Sequence, residues 1–355
     1  MPASTRVTLA RVAEEAGVSI SIASRALRGR GDMAPDTRSR VLRSAQTLGY
    51  TFAGEPRGRP RTSLVFDLVL SHFHGPYTDE VTAGARTAAA QLNYDLVLTA
   101  ERDDPDDDWP QRIRSRGTAG VILGLIVPTS AQMAVIRRAG IPVVLLEPSS
   151  EPPMGLPSVR TTDRAGGKAA AEHLIENGAR RFIVIGAVPS YRYGRGRVEG
   201  FLEALNRIVP GAPTVRADAD WSAMDAWHSC ARALSELPGE GPIGLFACTD
   251  EMAAGAYRAI AAAGLTIPGD VLVVGFDDVR GARWLHPSLT TIRQPIREMA
   301  AAAVHALARA VAGAELGDEI IELPTELIAR GSTRAIFPTV SGLSGPRSPA
   351  PTPID

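Results

Sequence analysis

Carboxylates, aromatic rings and hydroxyl groups recur where apolar runs of this 355-residue chain end. The residues in question are Ser71, Phe73, Tyr77, Glu147, Trp221, Thr249 and Asp277. Aromatic rings stack on the C–H faces of a sugar, while carboxylates bind its paired hydroxyl groups. These residue types therefore predict a sugar-binding site.

The segments that carry these residues alternate between two patterns. Runs rich in Val, Ile and Leu predict strands at 65–70, 94–99, 120–127, 142–147, 181–186, 244–248 and 271–276. Helical spacing predicts helices at 79–93, 131–140, 164–178, 195–205, 223–237, 250–263 and 296–311. Such alternation is typical of parallel sheets covered on both faces. In these sheets a ligand sits at the carboxyl ends of the strands, where the residues above fall.

A different pattern occupies residues 7–28. Thr8 and Ser19 are placed to cap two short helices, and Gly17 supplies the positive φ of a tight turn between them. A third helix is predicted at 35–48, with its apolar side formed by Val41, Leu42, Ala45 and Leu48. This framework is typical of a helix-turn-helix DNA reader, although a plain helical hairpin would share much of the spacing.

The charge distribution favours the DNA reader. Residues 1–61 hold 11 arginines and 5 acidic residues, whereas the remainder holds 27 basic and 34 acidic residues. A basic end on an acidic body is expected when one end meets phosphate. The DNA-contacting residues predicted from this segment and from the linker are Thr8, Ser19, Ile20, Ser21, Ile22, Ser24, Arg25, Arg28, Thr37, Arg57 and Arg59.

These residues carry a family resemblance. The N-terminal segment resembles the lactose-repressor (LacI/GalR) family of bacterial transcription regulators. The matching residues within 7–27 are Val-Thr-Leu, Val-Ala, Ala-Gly-Val-Ser and Ser-Arg-Ala-Leu, and Thr37-Arg38 and Leu48-Gly49-Tyr50 follow them. The resemblance continues to about Thr333. It implies an N-terminal all-α helix-turn-helix domain and a two-lobed α/β effector domain of the type I periplasmic-binding-protein kind. Strands crossing between the lobes are implied near 162, 292 and 325.

The resemblance also assigns effector contacts. By position it implies Phe73, Tyr77, Glu147, Arg197, Trp221, Thr249 and Asp277, to which the strand-end argument adds Ser71. Thr249 departs from an Asn common in the family, and Gly124 lies where a relative has a polar contact. On periodicity alone Phe73 and Tyr77 could instead be packing residues. Asp250 is interpreted as a helix N-cap rather than a ligand group.

The segment at 54–61 departs most from the family, which places a short helix with a wedge leucine there. Its sequence, Gly-Glu-Pro-Arg-Gly-Arg-Pro-Arg, disfavours a helix. It resembles an AT-hook, in which Arg57 and Arg59 would enter a narrow minor groove. A flexible basic linker is the alternative.

Length and composition predict how the chain divides into domains. The chain exceeds the usual size of one core, and we divide it into a DNA-binding domain (1–53), a linker (54–62), a ligand-binding and dimerisation domain (63–335) and a disordered tail (336–355). No apolar run of 18 residues and no N-terminal apolar segment are present, so we expect a cytoplasmic protein without membrane contact. Cys230 and Cys248 are interpreted as small buried hydrophobes.

Enzymatic and metal chemistry find little support. His72 and His74 lack a third ligand, so no metal site is predicted. Gly194 and Gly196 lack the third glycine of a dinucleotide-binding loop, and Lys168 lacks the flanking residues of a phosphate-binding loop, so no cofactor is predicted. A solute-binding receptor would explain the body but not residues 7–28.

We therefore predict a homodimeric repressor, not an enzyme, that binds double-stranded DNA at a palindromic operator. We expect a sugar to relieve the repression.

Overall fold

The chain folds into two compact units, residues 1–62 and 63–355. The structure, a computed structural model, describes residues 7–27, 33–48, 50, 64–101, 108–152, 155–188 and 191–333. The predicted linker (54–62) and tail (336–355) lie outside the described residues. Each unit has an apolar core of its own, among helices in the first and around two sheets in the second.

The described part of the first unit consists of three helices, α1 (Leu9–Glu15), α2 (Ile20–Leu27) and α3 (Pro35–Thr47). Gly17 lies between α1 and α2 with a φ of +62°, a conformation that glycine adopts readily. The three helices share a core of small residues, namely Val12, Ala13, Ala16, Ala23, Ala26, Val41 and Ala45. Small side chains allow the short helices to cross closely, which confirms the predicted helix-turn-helix framework.

Side-chain caps begin the first two helices, as predicted. Thr8 Oγ1 accepts a hydrogen bond from the backbone N–H of Arg11 at 3.4 Å, and Ser19 Oγ accepts one from Ile22 at 3.3 Å. Each cap satisfies a backbone donor that has no partner within its helix. The caps therefore set where α1 and α2 start.

One predicted core residue of α3 is exposed. Val41 is fully buried, but Leu42 is 48% exposed. Neighbouring residues are about 100° apart around a helix axis, so the burial of Val41 turns Leu42 away from this narrow core. The prediction for Leu42 is wrong.

Two six-stranded sheets form the centre of the second unit. In chain order the strands are β1 (Val65–Leu70), β2 (Asp95–Ala100), β3 (Gly120–Gly124), β4 (Val143–Leu146), β5 (Ser158–Thr161), β6 (Arg181–Ala187), β7 (Thr214–Ala219), β8 (Ile243–Ala247), β9 (Val271–Asp277), β10 (Thr290–Arg293), β11 (Ile320–Leu323) and β12 (Glu326–Ile328). The orders are β11-β5-β4-β3-β1-β2 and β12-β10-β9-β8-β6-β7. All pairs are parallel except β10 with β12.

Helices cover both sheets. They are α4 (Pro76–Gln91), α5 (Trp109–Arg116), α6 (Ser130–Arg138), α7 (Asp163–Glu176), α8 (Arg192–Ile208), α9 (Ala223–Glu236), α10 (Asp250–Ala262) and α11 (Ile296–Val311), with a 3-10 helix at Arg280–Arg283. The first sheet with α4, α5, α6 and α11 forms lobe 1, and the second sheet with α7 to α10 forms lobe 2. The seven predicted strands and seven predicted helices are present with small shifts of their ends.

The chain passes between the lobes three times, after β5, after β10 and after β11. Two of these crossings are joined, since the Thr325 N–H donates to Thr162 Oγ1 at 2.9 Å and the Thr162 N–H donates to the Leu323 carbonyl at 3.1 Å. The crossings implied near 162, 292 and 325 are confirmed. Paired crossings of this kind form a hinge on which two rigid lobes can open and close.

Helices α7 and α8 cross in backbone contact. A Cβ added at Gly167 would lie 2.0 Å from the Arg197 carbonyl oxygen, and one at Gly200 would lie 2.0 Å from that of Arg164. Backbone atoms cannot yield to such a contact without moving the helix. The glycines therefore hold α8 and its arginines against the start of α7.

We expect Gly167→Ala to lower the free energy of unfolding by about 1–3 kcal/mol through overpacking. Gly281→Ala serves as the control, because a Cβ at Gly281 meets nothing within 4 Å. Urea denaturation of both variants checks the prediction. Equal stability of the two variants would show that α7 and α8 can separate without loss.

Candidate ligand cavity and nucleic-acid interface

The exposed face of α2 is the candidate nucleic-acid interface. Ile20 is 55% exposed, and Ser21 and Arg25 are exposed beside it. Ser21 Oγ lies 3.1 Å from Ser19 Oγ, so the two hydroxyl groups share one hydrogen bond at the start of the helix. An apolar side chain, hydroxyl groups and an arginine are the groups that contact thymine methyls, phosphates and guanine edges.

The other predicted DNA contacts differ in their exposure to solvent. Thr8 and Ser19 are exposed, and each uses its oxygen as a helix cap, which leaves its proton able to donate to phosphate. Ile22, Ser24 and Thr37 are half-buried. The remaining three, Arg28, Arg57 and Arg59, lie outside the described residues.

A cavity of about 750 Å³ lies between the two lobes at the carboxyl ends of the strands. Its lining comprises Ser71, His72, His74, Gly75, Pro76, Tyr77, Thr78, Glu101, Leu125, Ile126, Val127, Glu147, Tyr191, Tyr193, Arg197, Trp221, Thr249, Glu251, Asp277 and Val279. Seven of the eight predicted effector residues are brought together here. Six of them meet here because parallel strands of both sheets end at this crevice, and Arg197 reaches it from α8; their contact with an effector stays a prediction.

Phe73 is the predicted effector residue that does not line the cavity. It is half-buried and packs against the core of lobe 1. Ser71 and Tyr77, from the same segment, do reach the cavity. Phe73 is therefore placed as a packing residue, whereas Tyr77 packs against the same core and also lines the cavity.

Arg197 organises the floor of the cavity. Its guanidinium donates to Asp163 Oδ1 at 2.9 Å, to the Cys248 carbonyl at 2.8 Å and to Asp277 Oδ1 at 3.4 Å. The group also lies 3.9 Å from the ring centroid of Phe276. Arg197 is 3% exposed, so these partners replace its hydration. The floor is thus a buried ion cluster with a fixed geometry.

Hydrogen bonds of Arg192 join the lobes beside this floor. Glu147, at the end of β4 in lobe 1, accepts from the Arg192 guanidinium of lobe 2 at 3.3 Å and from the Thr161 N–H at 2.8 Å. Arg192 also donates to the carbonyls of Pro148 and Ser149, at 3.2 and 2.8 Å. The contacts of Arg192 span the cleft, so their strength depends on the separation of the lobes.

Burial shifts the titration of the floor carboxylates. Desolvation and then the charge of Asp163 raise the pKa of Glu147 to about 8, against the pull of Arg192 and Arg197. Desolvation likewise raises the pKa of Asp277 to about 6, although Arg197 and the Gln294 side chain oppose it. Near neutral pH the cluster therefore holds a proton that the unfolded chain has released.

This bound proton predicts a dependence of stability on pH. Between about pH 4.5 and 8 the folded chain binds more protons at Glu147 than the unfolded chain, so stability falls as pH rises, by up to about 1.4 kcal/mol per pH unit. Glu147→Gln removes this contribution. Urea denaturation of both proteins from pH 5 to pH 8 should show the wild type losing stability relative to the variant. Parallel curves would contradict the prediction.

Three aromatic rings of lobe 2 form a cluster beside the charged floor. The centroids of Tyr191 and Trp221 are 5.9 Å apart with nearly parallel planes, and Tyr193 lies 5.2 Å from Trp221. On the opposite wall, the buried Tyr77 hydroxyl has no hydrogen-bond partner within the described residues. This hydroxyl can donate to a polar group of a ligand in the cavity.

Four residues at or beside the cavity were missed from the sequence, whereas Thr249, a predicted effector contact, lines it. Tyr191 and Tyr193 follow β6, so the strand-end argument could have found them. No sequence pattern pointed to Asp163 and Arg192, because neither residue directly follows an apolar strand. Thr249 is the N-cap of α10, its Oγ1 accepting from Met252 N at 3.1 Å.

The interpretation of Asp250 as an N-cap is wrong. It is instead the first residue of α10 and is buried. Its carboxylate accepts from the Val279 N–H at 2.9 Å and the Thr291 hydroxyl at 2.5 Å. Asp250 therefore holds the end of β9 and the neighbouring β10 in place instead of satisfying its own helix.

Neither metal nor membrane features are found in the described part of the chain. Among those residues no group of three His, Cys, Asp or Glu is placed to hold a metal ion. None of the helices described is long and apolar enough to cross a membrane. Cys230 and Cys248 are buried and unpaired with each other, as expected of small core residues.

Comparison with known proteins relates both units to one family. Residues 8–51 match the bacterial regulatory proteins of the lacI family, and residues 171–333 match the periplasmic binding protein-like domain. An uncharacterized HTH-type regulator of the aml 5' region of Streptomyces limosus is 33% identical over 341 residues, which cover 93% of this chain and 95% of that protein. MalR of Streptomyces coelicolor is 31% identical over 337 residues, covering 92% and 96%.

Two solved structures extend the likeness to the whole fold. The transcriptional regulator CelR in complex with cellobiose has a TM-score of 0.67 and 26% identity, covering 92% of this chain and all of that one. The lac repressor dimer bound to operator and the anti-inducer ONPF has a TM-score of 0.69 and 27% identity, covering 93% of this chain and all of that one. The chain therefore belongs to the LacI family and is a DNA-binding transcriptional regulator rather than an enzyme.

Proposed function

We propose that this regulator is a repressor that binds a palindromic operator as a homodimer and that a sugar in the interlobe cavity changes its affinity for DNA. As a regulator of chromosomal genes it acts in the cytoplasm. The relatives support this proposal, since CelR was solved with cellobiose and the lac repressor was solved as a dimer on operator. A two-fold dimer presents two readers to two half-sites about one helical turn apart.

The observation that carries the proposal is the composition of the cavity. It combines buried hydrogen-bonding groups from both lobes, namely Glu147, Arg197 and Asp277, with aromatic faces at Tyr191 and Trp221. Aromatic faces bind the C–H surface of a sugar, and charged groups bind its hydroxyls. A ligand held by both lobes biases the hinge toward one arrangement, and control of DNA binding requires such a bias.

We assign the DNA contacts to the exposed groups of the first unit. Ile20, Ser21 and Arg25 are proposed to read bases, with Thr8, Ser19, Ile22, Ser24, Arg28 and Thr37 supporting them or contacting phosphate. For the segment at 54–62 we propose that Arg57 and Arg59 enter the minor groove at the operator centre. This assignment to the linker is supported by its Pro, Gly and Arg content.

The experiment is operator binding measured with and without sugars. An operator recovered by in vitro selection with the full chain is titrated by fluorescence anisotropy, while a panel of mono- and oligosaccharides is screened by thermal shift. Sugars that stabilise the protein should also change operator affinity. A panel that neither stabilises the protein nor changes DNA binding would refute sugar control while leaving DNA binding intact.

Trp221→Ala tests the cavity within the same experiment. Loss of the ring should reduce sugar affinity by about tenfold, because a stacking contact contributes about 1 kcal/mol beyond its buried area. Trp221→Phe keeps an aromatic face and is the matched control. We expect the alanine variant to need correspondingly more sugar for the same change in operator binding. Identical sugar titrations for all three proteins would remove Trp221 from the ligand site.

A further inference from the structure

The cavity is larger than a single sugar ring requires. At the packing density of protein interiors, about 0.75, a hexose occupies about 200 Å³. The space between the lobes is about 750 Å³. A single ring would therefore leave most of the cavity to solvent, whereas two or three linked rings would occupy roughly half to four-fifths of it.

Burial divides the cavity into a floor and a mouth. Glu147 and Arg197, at the floor, are 1% and 3% exposed. Tyr191 and Trp221 are half-buried, and Val127 at the mouth is 58% exposed although it lines the cavity. The floor offers hydrogen-bonding groups, while the mouth offers rings and an apolar side chain. Each part suits one sugar ring, and the mouth suits a ring held mainly through its C–H face.

The aromatic cluster connects the two parts. Tyr193 is 7% exposed and lies 5.6 Å from the Arg197 guanidinium, so it borders the charged floor. Tyr191 is 5.7 Å from Tyr193 and 5.9 Å from Trp221 by ring centroids. The rings thus form a continuous surface from floor to mouth, along which a linked second ring can be held.

The charges of the lining disfavour an anion. Among the lining residues, carboxylates at Glu101, Glu251 and Asp277 face one arginine, Arg197, while burial keeps Glu147 protonated near neutral pH. The Arg197 guanidinium is already engaged by Asp163 and Asp277, so it has little charge left for a ligand. A phosphate or carboxylate placed here would meet like charges at reduced dielectric.

The helix that faces the cavity adds nothing to anion affinity. The N-terminus of α10 reaches the lining through Thr249 and Glu251, and its first turn carries the carboxylates of Asp250 and Glu251. These charges already compensate the positive end of the helix dipole.

We propose that the effector is an uncharged oligosaccharide of two or three rings, with one ring on the polar floor and the next stacked on Tyr191 and Trp221. The inference rests on the proposed function and specifies the ligand class of the same cavity. Phosphorylated and acidic sugars are excluded by the carboxylates of the lining.

Calorimetric titration of the full chain tests size and charge together. The probes are glucose and galactose, neutral di- and trisaccharides of the common linkages, and the 6-phosphates of the disaccharides. We expect at least one neutral di- or trisaccharide to bind tenfold or more tightly than its component monosaccharide. Its 6-phosphate should bind at least tenfold more weakly than the neutral form.

Variants of two lining residues, Tyr191 and Glu251, test the size and the charge of the ligand separately. Tyr191→Ala should reduce the ratio of oligosaccharide to monosaccharide affinity by about fivefold to tenfold, and Tyr191→Phe should preserve it. Glu251→Gln should narrow the gap between the neutral and phosphorylated disaccharides. His305→Ala, an exposed ring on α11 outside the lining, is the control for nonspecific effects.

The outcomes separate this inference from the proposed function. A monosaccharide that binds as tightly as every oligosaccharide, or a 6-phosphate that binds best, overturns the inference while sugar control stands. An unchanged affinity ratio in Tyr191→Ala overturns the assignment of the mouth. If no saccharide in the panel binds, both the inference and sugar control fail. Operator binding is then decided by the anisotropy titration without sugar.

Discussion

Replacement of Arg197 by methionine is expected to lower the free energy of unfolding of the second unit by about 3–5 kcal/mol. Methionine retains much of the volume of the side chain but leaves Asp163 and Asp277 without their principal cation. Both carboxylates are buried, at 3% and 5% exposure. An unpaired buried carboxylate must be protonated or hydrated, and either process opposes folding.

The same change should abolish the response to sugar, because the floor then loses its fixed geometry. Urea denaturation and sugar titration of the variant provide the two measurements. The double variant Arg197→Met with Asp163→Asn is the control, since removing one stranded charge should restore part of the lost stability. A loss below about 1 kcal/mol, or no recovery in the double variant, would mean that the ion cluster contributes little.

Arg25→Ala is expected to weaken binding to the selected operator by about 1–3 kcal/mol, roughly fivefold to 150-fold. Arg25 is exposed on α2, where it can pair with a guanine edge in the major groove. A base contact affects operator binding more than binding to random DNA, so the specificity ratio should fall. Fluorescence anisotropy on both DNAs at one fixed salt concentration measures this ratio.

Arg11→Ala is the matched control for Arg25. Arg11 belongs to the same unit but to α1, where it pairs with Glu14 at 3.0 Å, and both side chains are largely exposed. Its removal should weaken binding to operator and random DNA alike or leave both unchanged. If Arg25→Ala behaves in the same way, Arg25 contacts phosphate and the base-reading role belongs to other residues of α2.

The hinge offers a physical route from sugar to operator. Glu147 and Arg192 join the lobes through a contact of 3.3 Å beside the cavity, and the paired crossings at Thr162 and Thr325 provide the axis. A sugar that bridges the floor residues of both lobes changes the free energy of lobe closure. Differential affinity for the two arrangements is the quantity that control of DNA binding requires.

Local sequence patterns alone predicted the DNA reader, most interior strands and several of the cavity residues. The caps at Thr8 and Ser19 and the turn at Gly17 predicted the DNA reader, because each satisfies a backbone requirement within a few residues. Apolar runs predicted the interior strands β1, β3, β4, β6, β8 and β9, since strands buried on both faces are apolar throughout. The interior strands β5 and β10 contain Ser, Thr and Arg and gave no such run. Six cavity residues followed from one topological rule, that parallel strands end at a common edge, and Arg197 followed from the family resemblance.

Three of the four edge strands, β7, β11 and β12, could not be predicted in this way, whereas the edge strand β2 was predicted. β7 alternates exposed and buried residues, and β11 and β12 are short and contain glutamates. Their identity as strands depends on pairing with β6, β5 and β10, partners that are distant in sequence. Tertiary context overrides weak local preference at such edges.

Tertiary structure alone decided the chemistry of the floor and the direction of individual side chains. Asp163 and Arg192 belong to the site because the crossing after β5 and the close contact of α7 with α8 carry them to Glu147 and Arg197, and no local spacing encodes those distances. Phe73 and Leu42 were misplaced for a related reason: their residue types allow burial, a ligand contact or exposure equally well. The packing of neighbouring elements decides among these, because a side chain can face only the space that its neighbours leave.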